Sequence, residues 1–430
     1  MTRFFSLAQR FSLAAIVFIA VIAAPRELLL EVTDQPNIPL DFRAIMISRP
    51  DYPLLFLLLI TGLRLVFDST YPARIGATAR LIWIRYGGVF MLALSIWMGT
   101  SLLWAGQPIM TRYVALHALA ALIMALILAD LIRAEGDDWL LSALVISGVI
   151  QTVVAVAQSI TGGPLGLAAL GEAQRFTYDP ENFYRATGLS QHANYLGGYL
   201  AIAIFACILL SYRIAQRQQR PILPVVAGII CGIGLTTTLS RSAILGLAVG
   251  CLPLIWLILR RASPALRRLM VVGGVAAVVG GIILVLIATR GDLATRFFSG
   301  REFFFEDSWA EISASPLIGT GAGNLMLNIG PKRGYEVPNL LPVHNVYLYV
   351  WAESGLVGLA LFVAGCAAIL ARLRSVNRQA LIWSCAFVAI CVIMLFDNYW
   401  WGVHPFQLLF FWVIGMWWGL ATSPTSARTQ

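Results

Sequence analysis

Apolar stretches of close to twenty residues recur along the whole chain, separated by short polar breaks. Stretches of that length suit helices that cross the hydrocarbon core of a bilayer. Twelve candidate spans follow, at roughly 11–30, 52–69, 81–104, 112–132, 139–161, 188–212, 221–240, 242–260, 268–289, 345–371, 379–400 and 404–422. The second is the weakest, because Arg64 interrupts "PLLFLLLITGLRLVF". The run "FSLAAIVFIAVIAA" behind the basic start "MTRFFSLAQR" reads as an uncleaved first span, since membrane segments continue after it. The pattern predicts an all-α polytopic membrane protein, a single integral membrane domain over residues 1–430 with about 12 transmembrane helices.

Composition supports this reading. The chain is 59% hydrophobic and 12% charged, against about 25% charged residues in soluble domains. All six cysteines (Cys207, Cys231, Cys251, Cys366, Cys385 and Cys391) fall inside apolar stretches, so they read as packing residues and not as a disulfide framework or metal ligands. With a cytoplasmic N-terminus, the inner segments and adjoining helix ends collect 18 of the 30 basic residues and 5 of the 21 acidic ones. The positive-inside rule favours that orientation, with both termini cytoplasmic. The net charge of +9 is then a topology signal and requires no nucleic-acid partner.

Two outer segments are too long for simple turns: a shorter loop over 162–187 and a larger one over 290–344, between spans nine and ten. The larger loop holds "RFFSGREFFFEDSW", whose aromatics among charges suit a segment at the membrane interface. It also holds "PLIGTGAGN", which follows no strand-like run and carries no trailing lysine. That excludes dinucleotide and P-loop grammar and predicts a turn. His344 stands where this loop re-enters the membrane, at the head of "HNVYLYVWAESG".

Charged and polar groups at the outer rim are the candidates for chemistry. Arg241, in the nearly loop-free hairpin "LTTTLSRSAILGLAVG", is either an interface-seeking cation or an anion clamp. In the large loop Arg290, Arg296, Arg301, Lys332 and Arg333 stand among Asp292, Glu302, Glu306, Asp307 and Glu311, so pairing is the plainer reading for most of them. "YRATGLSQHANYLGGYL" gathers Arg185, Gln191, His192 and Asn194 at the start of span six, to line a site or to wet an interface. His117 inside span four reads as a structural hydrogen-bonding group, and Asp397 and His404 as a local salt bridge across the last outer turn. The acids of the first outer loop (Glu27, Glu31, Asp34, Asp41 and Asp51) lack coordination spacing, so no metal site and no cofactor is predicted.

With these residues in view, the chain resembles the O-antigen ligase and O-antigen polymerase superfamily of bacterial membrane glycosyltransferases. Arg241 opens "RSAIL", as in the ligases, and His344 is followed after ten residues by Gly355. Between them, "SGREFFFEDSWAEISASPLIGTGAGN" looks like the family's Ser-Gly-Arg, tryptophan, Pro-Leu-Xaa-Gly and glycine-turn series. The resemblance spans about 184–420 and includes the twelve spans with a large loop after the ninth. It implies a periplasmic active site in the bacterial inner membrane, built partly from the 290–344 loop. Its partners would be an undecaprenyl-diphosphate-linked glycan donor and a lipid A-core or glycan acceptor. By position, Arg241 and Arg301 would hold the diphosphate and His344 would work at the acceptor hydroxyl; Arg185, Gln191, His192, Asn194, Arg290, Arg296 and Asn345 are expected to bind substrate. Physically, two guanidinium groups can stabilise a leaving diphosphate without a metal, and a neutral imidazole can accept a hydroxyl proton. A polymerase would use the same site on another acceptor. A lipid-linked glycan transporter is the rival from another class, although the halves show no inverted repeat. A metal-dependent oligosaccharyltransferase would need the first-loop acids as ligands. Glu353, half a helical turn away from His344 in projection, reads as structural.

Overall fold

The computed structural model describes residues 2–22, 27–173, 184–261, 263, 302–333 and 340–423. Its helices are α1 (Thr2–Ile19), α2 (Leu40–Arg43), α3 (Asp51–Phe67), α4 (Tyr71–Arg85), α5 (Gly88–Thr100), α6 (Pro108–Glu135), α7 (Asp138–Thr161) and α8 (Ala193–Gln216). They continue with α9 (Ile222–Thr237), α10 (Arg241–Arg261), α11 (Glu302–Ala314), α12 (Leu325–Arg333), α13 (Val346–Leu370), α14 (Arg378–Ile393), α15 (Tyr399–Gly402) and α16 (His404–Thr422). An antiparallel pair, β1 (Glu27–Glu31) with β2 (Ala44–Ile47), adds a small sheet that the hydrophobic pattern did not predict.

Seven described helices are long and apolar enough to cross a membrane, or eight if the bent pair α3 and α4 forms one span. The segments Gly88–Leu103, Ile222–Thr237 and Arg378–Ile393 are apolar but shorter. The chain is thus a multi-pass membrane protein whose described helices do not reproduce the twelve expected spans one for one. The expected span 268–289 lies outside the described residues. The expected span 81–104 is cut where Gly87 turns left-handed at φ 76°, between α4 and α5. α1 begins at Thr2, so the basic start of the chain is itself helical.

The cause of the α3/α4 break is legible in its side chains. The two helices meet at 119°, and Arg64, only 1% exposed, fills the corner. Its guanidinium donates to Gln9 Oε1 at 2.7 Å and to Asp68 at 3.3 Å, and lies 4.3 Å from the Tyr71 ring. The arginine that weakened the second span is therefore the paired centre of a corner. Removing one partner of a buried ion pair strands the other, so Arg64→Ala should lose about 3 kcal/mol, read as an early thermal unfolding transition in detergent. An unchanged transition would show that the corner stands without it.

α16 is the central helix. Phe406 to Ala421 are buried throughout, and it packs along α6 where Gly415 meets the Ala125 backbone and Gly419 meets Ile132. Small residues let membrane helices approach closely. Three buried indoles find acceptors across helices: Trp417 donates to Ser384 at 2.7 Å, Trp418 to the Tyr86 carbonyl at 3.1 Å and Trp383 to the Val413 carbonyl at 2.9 Å. α10 is peripheral, with 17% of its apolar window buried.

One end of the bundle carries Arg74 paired with Asp130, Arg213 with Asp137 and Asp138, and Arg10 with Glu135. The other end gathers the starts of α8, α10, α13 and α16 and the candidate site residues.

Candidate functional site

The hub of that end is the turn between α14 and α15, residues 394–398. Asp397, 4% exposed, accepts from Ser242 Oγ at 2.5 Å and from Asn194 Nδ2 at 3.2 Å. Ser242 is the second residue of α10, so the carboxylate fixes the helix start that displays Arg241, whose side chain is exposed. Asn194 in turn accepts from Arg185 Nη2 at 2.5 Å. Arg185 Nε also donates to the Thr238 carbonyl at 3.1 Å, in the α9–α10 hairpin. Next to Asp397, Asn398 donates to the carbonyls of Pro342 and Val343 at 3.0 and 3.2 Å. Asn345 caps α13 by accepting from Leu348 N at 3.0 Å and donates to the Leu395 carbonyl at 3.1 Å. One turn therefore brings Arg185, Asn194, Arg241, His344 and Asn345 together from separate stretches of chain.

His344 is half-buried, its ring 5.8 Å from Phe304 of α11. His192 acts locally, its Nδ1 accepting from Asn194 N at 3.1 Å to cap α8. Gln191 lines a separate, small cleft together with Arg49 and Pro405. Arg290, Arg296 and Arg301 lie outside the described residues. Lys332 and Arg333 pair with Glu311 and Asp307 respectively, as the mixture of charges in that loop suggested. His404 stacks on Tyr113 at 4.6 Å and meets His117 edge-on at 4.5 Å, while Asp397 takes partners on α8 and α10.

The shorter loop is tied down by a glutamine and a glutamate. Gln158 Oε1 accepts from Thr187 N and Gly188 N at 3.1 and 2.8 Å, while its Nε2 donates to Glu172 Oε1 at 2.6 Å. Gln151 Oε1 accepts from Leu189 N at 2.8 Å. These bonds set the chain on either side of Arg185. Burial opposes ionisation of Glu172, but donors from Gln158 and the amides of Leu165, Leu167 and Gly166 outweigh it and hold the carboxyl below its ordinary value. A carboxyl held low in the fold stabilises at pH above its ordinary value and loses that contribution as pH falls through the lowered one. Protection of the Leu165 and Leu167 amides, corrected for the intrinsic exchange rate at each pH, should therefore fall in acid in the native protein, and Glu172→Gln should flatten that dependence. A variant with the same acid response would assign it elsewhere.

The large loop enters the bundle at a break in α13. Gly355 has φ 65° and ψ −175° inside that helix. The carbonyls of Ala352 and Glu353 accept from Thr320 N and Gly321 N, each at 2.9 Å, and Leu356 N donates to the Pro316 carbonyl at 2.9 Å. Trp97 Nε1 donates to the Ser354 carbonyl at 2.8 Å. The "PLIGTGAGN" turn thus completes the hydrogen bonding of a broken helix. Its Asn324 continues into α6, donating to Thr111 at 2.8 Å and accepting from Gln107 N at 2.7 Å. On α11, Phe303, Phe305 and Trp309 are exposed, consistent with an interfacial helix.

Residues 226–363, about a third of the chain, match the family model described as O-antigen ligase. That segment is similar to the O-antigen ligase family. That segment holds Arg241, Arg301, His344 and Gly355, while Arg185, Asn194 and Asp397 lie beyond it. Members of the O-antigen ligase family are membrane glycosyltransferases, ligases or polymerases that handle lipid-linked glycans. No curated protein matches the chain.

Sequence reasoning missed Asp397 as an organiser, and with it Ser242, Asn398, Gln151, Gln158 and Glu172. Among the described residues, no group of three His, Cys, Asp or Glu side chains could hold a metal ion. The first-loop acids instead take local partners: Glu31 pairs with Arg43, and Asp51 accepts from Ser48 and faces His117 at 3.1 Å.

Proposed function

We propose that the protein is an O-antigen ligase, moving a glycan from undecaprenyl diphosphate to a lipid A-core sugar at the periplasmic face of the inner membrane. The observation that carries this reading is the gathering of Arg241, Arg185 and His344 around the Asp397–Asn398 turn. In the reaction, an acceptor hydroxyl oxygen attacks the anomeric carbon while the bond from that carbon to the phosphate oxygen breaks. The diphosphate leaves with the electron pair, and the hydroxyl proton passes to His344. Arg241, with Arg301 and Arg185, neutralises charge that grows on the diphosphate, where preorganised donors act most strongly. Arg290 and Arg296 add positive potential, and Asn345 orients the acceptor beside His344. Direct displacement inverts the anomeric centre, and the phosphosugar bond supplies the driving force.

The test is reconstitution of purified protein with carrier-linked glycan and lipid A-core, without ATP and with chelator present. Arg241→Ala should lower transfer by on the order of 100- to 1,000-fold. Strict metal dependence, or full activity in that variant, would sink the mechanism. Chain growth without lipid A-core would assign the same site to a polymerase. Transfer of intact carrier lipid across the membrane without bond exchange would make the protein a transporter.

A further inference from the structure

At the end of the bundle opposite the candidate site, a corner collects arginines without acids. Arg85 closes α4, Arg372 and Arg374 lie in the turn after α13, and Arg378 opens α14. Two neighbouring carbonyls at the end of α16 draw these pieces of chain together. Asn377 Nδ2 donates to the Leu420 carbonyl at 2.8 Å, and the Tyr86 hydroxyl donates to the Ala421 carbonyl at 3.3 Å. Arg372 lies over the Tyr86 ring at 5.6 Å, and Gly87 sits so close to Ala368 of α13 that a Cβ would overlap it. Arg85, Arg372, Arg374 and Arg378 are all exposed, and among the described residues none of them forms an ion pair. The acids of this end are already taken: Asp68 by Arg64, Asp130 by Arg74, Glu135 by Arg10, Asp137 by Arg213, and Asp138 by Arg213 and Arg217. Like charges held together in this way repel one another until an anion joins them.

The neighbours of the corner decide which anion fits. Ile84, Val89 and Phe90, on either side of Arg85 and Tyr86, are 70%, 47% and 37% exposed. In a multi-pass membrane protein such apolar side chains face acyl chains, so the ligand needs a charged head and apolar tails. We propose that this corner binds the headgroup phosphate of an anionic phospholipid, with the acyl chains against Ile84 and the start of α5. Guanidinium forks match phosphate oxygens, and each arginine beside an anionic membrane surface strengthens binding about fivefold. Stacking on Tyr86 holds Arg372 in place before the lipid arrives. The assignment is independent of the transferase reading, because the corner lies at the other end of the bundle from Arg241 and His344.

The test is native mass spectrometry of detergent-solubilised full-length protein, titrated with phosphatidylglycerol or with phosphatidylcholine of the same chains. Phosphatidylglycerol should bind more tightly, and Arg374→Gln should weaken it about fivefold. Arg374→Gln combined with Arg85→Gln, Arg372→Gln and Arg378→Gln should reduce phosphatidylglycerol to the level of phosphatidylcholine. Arg217→Gln is the control: it removes the same unit of charge from the same end, but from an arginine paired with Asp138, and should leave both lipids unchanged. The side chain of Arg374 makes no hydrogen bond or ion pair among the described residues, so the single variant decides the matter if the combined one unfolds. Native phosphatidylglycerol affinity in Arg374→Gln and in the combined variant would overturn the assignment. Equal weakening in Arg217→Gln would replace the site with diffuse charge. Displacement of the lipid by glycerol 3-phosphate at the same concentration would make the corner a site for soluble phosphate and equally sink the proposal.

Discussion

His344→Ala is expected to lower glycan transfer by on the order of 100- to 10,000-fold, the range attached to a positioned general base. The fold should survive the change. The backbone around His344 is held independently of its ring, by Asn398 on the carbonyls of Pro342 and Val343 and by Val346 N on the Met394 carbonyl at 2.8 Å. The variant should therefore keep the native thermal transition and still bind pyrophosphate through the arginines. His344→Gln separates the two roles open to the imidazole. A glutamine can hold an acceptor hydroxyl by hydrogen bonding but cannot take its proton at neutral pH. Recovery of most activity in that variant would make His344 a positioning group, and continued loss in kcat with little change in KM supports the base.

Gly355→Ala should have the largest structural effect. The backbone conformation there is open only to glycine, and a side chain forced into such a region costs about 1–3 kcal/mol. A Cβ would also stand 2.1 Å from the Leu317 carbonyl oxygen, and backbone cannot step aside cheaply. Together the strain and overlap amount to about 3–5 kcal/mol, enough to expel the 316–321 turn from α13. Limited proteolysis should cut the loop in Gly355→Ala but not in native protein, with loss of transfer in parallel. Gly99→Ala is the control, because nothing lies within 4 Å of a Cβ there; it should leave both readouts alone. Equal protection in the two variants would mean that the turn does not depend on the break.

What could be read in advance follows from how far each feature reaches along the chain. Apolar runs and arginine bias are local or additive, so the multi-pass class, the turn in "GTGAGN" and the hydrogen-bonding role of His117 were legible. The family likeness rests on motifs read in place, from Arg241 to Gly355. Asp397 was not legible as an organiser because its partners Asn194 and Ser242 stand 203 and 155 residues away, and no local spacing marks such a contact. The corner at Arg64 was half legible: its charge signalled trouble for a straight span, but Gln9, which solves the trouble, lies in another helix. Gly355 entered only as the motif glycine beyond His344, and the break it makes was not legible because the pattern of apolar residues continues unbroken across it. Glu353 was excluded as a partner of His344 by helix geometry. Its carboxylate instead accepts from the amides of Gly323 and Leu325 and from the Tyr349 hydroxyl.

The break in α13 also bears on how the protein is made. Gly355 lies ten residues beyond Asn345, about 15 Å along the helix at 1.5 Å per residue, or roughly half the thickness of a hydrocarbon core. A newly inserted α13 would present the carbonyls of Ala352 and Glu353 to lipid, at a cost of several kcal/mol for each bare polar group. The turn that answers them precedes α13 in the chain and is translated earlier. Insertion and completion of this helix are consequently two separate events, the second waiting for that turn to pack against the break.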